Sequence, residues 1–347
     1  MTVSVLSGRA PAAGAGRARL WVCMATIAAC VPYLSIKIAW LSGSTVGWND
    51  TEAAKGSALY VGNAITMGMD AIAVLVALAF TFPWGRRIPA WLVLTPMWIA
   101  AGLLAPIAFA VPLGSLLQTL FSSEPLTASD NGLQDWVYGV VYTGFTLQGV
   151  GLVTAFVLYG RERWPDVFAV RTKDVAKGAT HLVQVLLART AAVFAVVFAA
   201  VQFFWAFGGT AGLSDENLDN RSAVLRLADG FMGLMALAGA VALLVIVQRG
   251  GRPERFAVPL AALWIGAGAT FTWSFYGLIT LLSQPEFLAT DSASALNLTK
   301  LCGLFAGLLM GVTGAVLIAE RAAATGGADG ADGADAQSAS PTASRTP

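Results

Sequence analysis

Charge is scarce in this chain: 12% of its 347 residues are charged, while 56% are hydrophobic. Soluble proteins carry roughly 25% charge. So few charges cannot cover so much apolar surface with a polar shell, which excludes ordinary soluble domains. Histidine is nearly missing, His181 being the only one. The three cysteines, Cys23, Cys30 and Cys302, lie in apolar runs without CxxC spacing. Histidine triads, zinc sites and disulfide frameworks therefore lack their residues, and no metal or cofactor is expected. A net charge of +1 offers no basic field to hold nucleic acid.

Long hydrophobic runs are what the chain does have. A bilayer core of about 30 Å takes roughly 20 apolar residues per helix. Eight runs qualify, near 20–41, 57–82, 88–111, 137–159, 190–207, 223–247, 256–282 and 296–319. The expected fold is an all-α integral membrane protein with eight transmembrane helices, and the bilayer is its first partner. Ile27-Ala28-Ala29-Cys30 resembles a lipoprotein cleavage box, but apolar sequence continues through Trp40, as in an uncleaved first helix. The Gly-Ala-Asp repeats after Gly326 predict an unstructured tail.

Charges of opposite sign alternate between the loops. Arg17 and Arg19 precede the first run, Arg86 and Arg87 follow the second, Arg161 to Lys177 follow the fourth, and Arg249 to Arg255 follow the sixth. The intervening loops carry Asp50, Glu124, Asp130, Asp215, Glu216 and Glu286. Since basic loops stay inside, this predicts a plasma-membrane protein with both termini cytoplasmic.

The chain also repeats itself at a spacing of about 165 residues. Trp40, Gly43, Thr45, Gly47 and Asp50 match Trp205, Gly208, Thr210, Gly212 and Asp215 in the pattern W-x-x-G-x-T-x-G-x-x-D. Trp98-Ile99, Ala101 and Gly102 match Trp264-Ile265, Ala267 and Gly268, and Gly149-Val150 is set against Gly311-Val312. The reading is a duplication into two parallel four-helix repeats. Its parts are a cytoplasmic segment 1–19, a first unit 20–160, a basic linker 161–189, a second unit 190–321 and a tail 322–347. Four helices per unit give both copies the same direction, related by an axis near the membrane normal. The repeated segment then falls at the outer surface, where each Trp suits the headgroup level and the glycines allow positive φ in a helix-ending turn. This W-x-x-G-x-T-x-G pattern resembles small uncharacterised four-helix membrane proteins of high-GC bacteria, known as a domain of unknown function. The resemblance implies a tandem fusion of two such units and carries no activity with it.

Polar residues inside the runs are expensive, at about 2.5–3.5 kcal/mol for a charge at mid-helix, and mark candidate sites. Asp70 lies roughly 20 Å into its helix, near the bilayer centre, with Asn63, Thr66 and Met67 on the same face. Lys37 lies only about 6 Å from its helix end, which argues against a direct pair with Asp70 and suggests outward snorkelling. Gln202 is its equivalent in the second unit, where Met235 replaces Asp70. Asp229 has Arg226 as an i,i+3 neighbour, and Tyr142, Gln148, Tyr276 and Lys300 lie at similar outer depth. Together these predict an outward-facing polar pocket for a small-molecule ligand, with Asp70 at its floor; separate interhelical hydrogen bonds are the alternative. Gly303, Gly307 and Gly311 form a GxxxGxxxG ridge for a close helix partner, in the bundle or in a second subunit. Three function classes follow: a protein that binds or moves a small lipophilic or cationic molecule, a ligand-sensing or accessory subunit, and a membrane-embedded enzyme acting on a lipid or prenyl group. The enzyme reading lacks DxxxD or DDxxD carboxylate runs.

Overall fold

The computed structural model describes residues 13–51, 57–121, 132–175, 177–213, 218, 221–249, 255–282 and 291–338. Eight of its helices are long and apolar enough to cross a membrane. In chain order the helices are α1 (Ala13–Leu41), α2 (Ser57–Thr81), α3 (Ala90–Phe121), α4 (Asp135–Arg163), the short α5 (Pro165–Ala169), α6 (His181–Ala206), α7 (Ala223–Gln248), α8 (Ala257–Leu282) and α9 (Asp291–Ser338). Large side chains that a soluble protein would bury stand on the outside, including Trp91, Leu116, Leu182 and Leu186. This is the surface expected of a multi-pass protein in contact with lipid.

Several boundaries differ from the sequence reading. α3 runs unbroken past Pro96, Pro106 and Pro112 to Phe121, because neighbouring helices and local adjustment can satisfy the backbone groups that proline frees in a membrane. α6 starts at His181 rather than near residue 190, so part of the expected linker is helix; beyond its first turn, Arg189 is the one charge in its apolar run, and a long side chain can leave the hydrocarbon region. The expected tail is helical as far as Ser338. Alanine, the strongest helix former, alternates there with Gly and Asp, and the first proline comes only at Pro341.

The helices pack as two four-helix units with the same internal order. In the first, α1 lies against α2 and α4, and α3 against α4. In the second, α6 lies against α7 and α9, and α8 against α7 and α9. Equivalent ion and amide contacts fix the register of the repeat. Glu162 accepts from Arg19 at 2.5 Å, and Glu320 accepts from Gln184 at 2.8 Å. Arg19 and Gln184 are 165 residues apart, so Glu162 and Glu320, 158 apart, are equivalents. The Tyr33–Phe145 ring contact at 5.1 Å likewise corresponds to the approach of Phe198 to Gly303. Gly149 is thus the counterpart of Gly307 rather than of Gly311. A slip of four residues keeps the same helix face, so the Gly-Val match alone could not expose it.

The repeated W-x-x-G-x-T-x-G segments fold identically. Gly43 and Gly47 have φ of 88° and 79°, and Gly208 and Gly212 have φ of 97° and 83°. Gly43 N–H donates to Trp40 O and Ser44 N–H to Ala39 O, matched by Gly208 to Trp205 and Gly209 to Phe204. These are paired 5→2 and 6→1 bonds that close a helix on a left-handed glycine. The indole N–H of Trp40 donates to Val46 O at 2.7 Å, and that of Trp205 to Ala211 O at 3.0 Å. Thr45 and Thr210 each accept a backbone bond three residues on, from Trp48 and Leu213. Trp205 is buried, at 2% exposure, so its indole ties down the turn and does not sit among headgroups. Asp50 follows the first turn, whereas Asp215 lies outside the described residues.

Between the units, α3 packs on α7 and α8. The equivalent glycines Gly102 and Gly268 meet backbone to backbone, leaving no room for a Cβ on Gly102. Trp98 donates through its indole N–H to the carbonyl of its own equivalent, Trp264, at 3.1 Å. Position 98 facing 264 while 102 faces 268 requires parallel helices and an axis running along them. Within the second unit, Gly266 meets Gly239 at backbone distance, so α7 and α8 pack closely. Val74 and Ala100 hold those positions in the first unit, where α2 and α3 touch only sparsely. The ridge on α9 is used inside the chain: Gly303 faces Ser274 and Phe198, Gly307 faces the backbone of Phe271, and Gly311 faces Trp98. Those contacts occupy the surface that a second subunit would need.

Gly102→Ala should lower the stability of the detergent-solubilised protein by about 1–3 kcal/mol, since its Cβ collides with rigid backbone. Gly43→Ala and Gly208→Ala should each cost about 1–2 kcal/mol through left-handed strain. Gly68→Ala, whose Cβ meets open space, should cost nothing. Thermal unfolding midpoints of the four variants check this order.

Candidate functional site

The first unit holds a polar network where its membrane interior should be apolar. α1 supplies Lys37, which is completely buried. Its Nζ donates to Thr66 Oγ1 on α2 and lies 4.5 Å above the Tyr33 ring. The Thr66 hydroxyl donates onward to the Gly62 carbonyl at 2.8 Å. One turn further along α2, the Asp70 carboxylate accepts from Gln148 Nε2 of α4 at 3.3 Å through Oδ1. The same Gln148 amide lies 3.2 Å from Cys30 Sγ, and the Cys30 thiol donates to the Thr26 carbonyl at 3.2 Å. Asp70 Oδ2 is buried without a hydrogen-bond partner.

Lys37 therefore turns into the bundle and does not snorkel outward as its depth suggested. Thr66 on α2 gives the ammonium a neutral acceptor, and the Tyr33 face gives it a cation–π contact. No ion pair joins Lys37 to Asp70, as the depth difference predicts, although each lies in the other's field. Asn63 contributes only its backbone carbonyl to this group, at 3.3 Å from Thr66 Oγ1. Tyr142 stands beside it, 40% exposed and stacked on Tyr138.

The second unit has a separate cluster at its corresponding end. Asp229 accepts from Arg221 Nη2 at 2.7 Å, and that same nitrogen donates to the Trp205 carbonyl at 2.7 Å. Arg221 is thus the partner that sequence spacing assigned to Arg226, which stands exposed. Ser222 caps α7 by accepting from Leu225 N–H, and the Arg221 side chain, just before that cap, reaches along the helix to Asp229, eight positions on; i,i+3 spacing cannot anticipate such a reach. Lys300 of α9 lies in the field of Asp229 with its stem against Gly277. Gln202 is 2% exposed and its Oε1 has no partner, while Tyr276 is exposed. The ten residues singled out by sequence thus divide between two bundles.

The equivalences show what is peculiar to the first unit. Lys37, Thr66, Asp70 and Gln148 correspond to Gln202, Phe231, Met235 and Ala306. The same four-helix framework thus closes without either charge.

Sequence reasoning overlooked a second polar layer at the basic end of the bundle. Glu162 binds both Arg19 and Arg86, the latter at 2.7 Å. Glu320 accepts from Thr180 N–H, Thr180 Oγ1 and Gln184 Nε2. Tyr159 donates to the Gly85 carbonyl at 2.8 Å. The available signal was a Glu-Arg dipeptide at the end of the fourth span of each unit, Glu162-Arg163 and Glu320-Arg321.

A double-mutant cycle tests whether Lys37 and Asp70 form one network. Lys37→Gln and Asp70→Asn should each destabilise the protein, and the double variant should lose less than the sum. A coupling of about 0.5–3 kcal/mol in chemical denaturation is expected for members of one network, whereas independent side chains would add within about 0.5 kcal/mol.

Comparison with known protein families, curated proteins and solved structures gives no match for the chain. The functional reading therefore rests on its own geometry.

Proposed function

We propose that this membrane protein binds or moves a small polar or cationic molecule, and that Lys37, Thr66, Asp70 and Gln148 of the first unit engage it. In this reading the network is reached from the acidic loops on the outer side, and the basic loops and both termini face the cytoplasm. One observation carries this reading: two ionisable side chains, Lys37 and Asp70, are buried at positions that the twin bundle fills with Gln202 and Met235. Replacing buried ionic groups by apolar ones is often neutral or stabilising by about 1–4 kcal/mol. Lys37 and Asp70 are therefore poorly explained by stability, and a functional role accounts for their cost. The partnerless Oδ2 of Asp70 leaves an acceptor for a cation or a donor group. Of the remaining residues named from sequence, Asn63 and Tyr142 flank the route in the first unit in this reading, whereas Gln202, Arg226, Asp229, Tyr276 and Lys300 belong to the second unit and stand apart from it.

The test uses proteoliposomes and a panel of sodium, potassium, ethanolamine and tetraphenylphosphonium. Wild type should bind or take up at least one of these. Asp70→Asn should lower that signal about tenfold or more, while Asp229→Asn lowers it less than twofold. A folded Asp70→Asn variant with wild-type uptake and wild-type pH dependence would remove the network from the mechanism. A wild-type chain inert to the whole panel would contradict the cation reading.

A further inference from the structure

Where the two units meet at their basic ends, α4 and α9 diverge and leave a cavity of about 450 Å³. That size lies within the range of about 300–1,000 Å³ typical of sites for small organic ligands. It extends along α3 from Ala90 to Ala101, roughly 16 Å at the helical rise, and thus toward the middle of the bilayer. Its walls pair equivalent positions of the repeat: Leu94 with Leu260, Gly160 with Ile318, and Arg163 with Arg321. The cavity therefore lies along the seam between the repeats and belongs to neither polar cluster described above.

Its interior is apolar and its mouth is cationic. Arg163 donates only to neutral acceptors, the carbonyls of Gly85 at 3.3 Å and Ile88 at 2.6 Å and the Tyr159 hydroxyl. Arg321 donates to the Asp166 carbonyl at 3.0 Å and lies 5.1 Å over the Phe256 ring. Among the described residues lining the cavity, Arg163 and Arg321 are the bases and Asp166 is the acid. A slot that is apolar along the helices and carries two arginines at the basic end of the bundle matches an anionic phospholipid: acyl chain along the helices, phosphodiester at the arginines. Basic pockets between transmembrane helices recognise such headgroups, and guanidinium suits phosphate geometry.

We infer that the seam cavity holds the acyl chain of an anionic phospholipid from the leaflet at the basic face, with Arg163 and Arg321 as its phosphate-binding pair. The lipid would fill the space between the units where no helix does.

Native mass spectrometry of the full chain, released from nanodiscs of equal parts phosphatidylglycerol and phosphatidylcholine, tests this. Wild type should retain phosphatidylglycerol at about a fivefold or greater excess over phosphatidylcholine. Arg321→Gln should reduce that excess about fivefold, the factor expected for one cation at a membrane surface. Ala261→Phe, which puts a ring into the slot, should reduce retention of both lipids. Wild type that keeps no lipid, or keeps both lipids equally, overturns the inference. So does a preference unchanged in Arg321→Gln, which also decides the matter should Ala261→Phe fail to fold.

Discussion

The approach of α3 to α8 at Gly102 and Gly268 governs the rest of the architecture. A glycine on both helices allows backbone contact, and in lipid, where there is no hydrophobic drive between helices, such close packing is a main source of association. The contact joins equivalent residues, so it places the two units about one axis. It also leaves α4 and α9 apart at the basic end, where the seam cavity forms. The first unit meets this seam with a loosely attached α2, since the side chains of Val74 and Ala100 prevent the approach that Gly239 and Gly266 make.

The internal repeat makes the cost of the polar network visible. In a single bundle, a buried lysine and aspartate could be read as part of the framework. Here the second bundle is an internal control: Gln202, Met235 and Ala306 take the corresponding places, and the helices still close around an apolar core of Phe198, Ala236, Leu243 and Met310. The two units share their turns and helix order and differ in their interiors. The first copy holds its charges deep and away from lipid; the second keeps Asp229 with Arg221, close to a helix end.

Hydrophobic length revealed the eight spans, because a bilayer leaves few alternatives to a 20-residue helix. The turns were legible as well, since Gly43, Gly47, Gly208 and Gly212 sit where helices must stop and only glycine adopts positive φ cheaply. Register in the last helix was less legible, because residues four apart share a face and a two-residue identity fits either turn. Lys37 was misread for a related reason: depth along a helix says how far a side chain is from water, but not which neighbour it meets. The Arg221–Asp229 pair depends on a side chain just before α7 reaching eight positions along it, and Arg163 with Arg321 acquires meaning only once both units are placed. Helix faces and ends were therefore readable, while contacts between distant segments were not.

The central claim is that the first unit's charges serve something other than the fold. Its most direct test is to give that unit the interior of its twin, Lys37→Gln, Asp70→Met and Gln148→Ala together, and to measure the unfolding of the purified protein. The account predicts a monodisperse eight-helix protein at least as stable as wild type, because the twin bundle closes with those residues. A triple variant that fails to insert, or that unfolds well before wild type, would show that the network is part of the framework and contradict the claim.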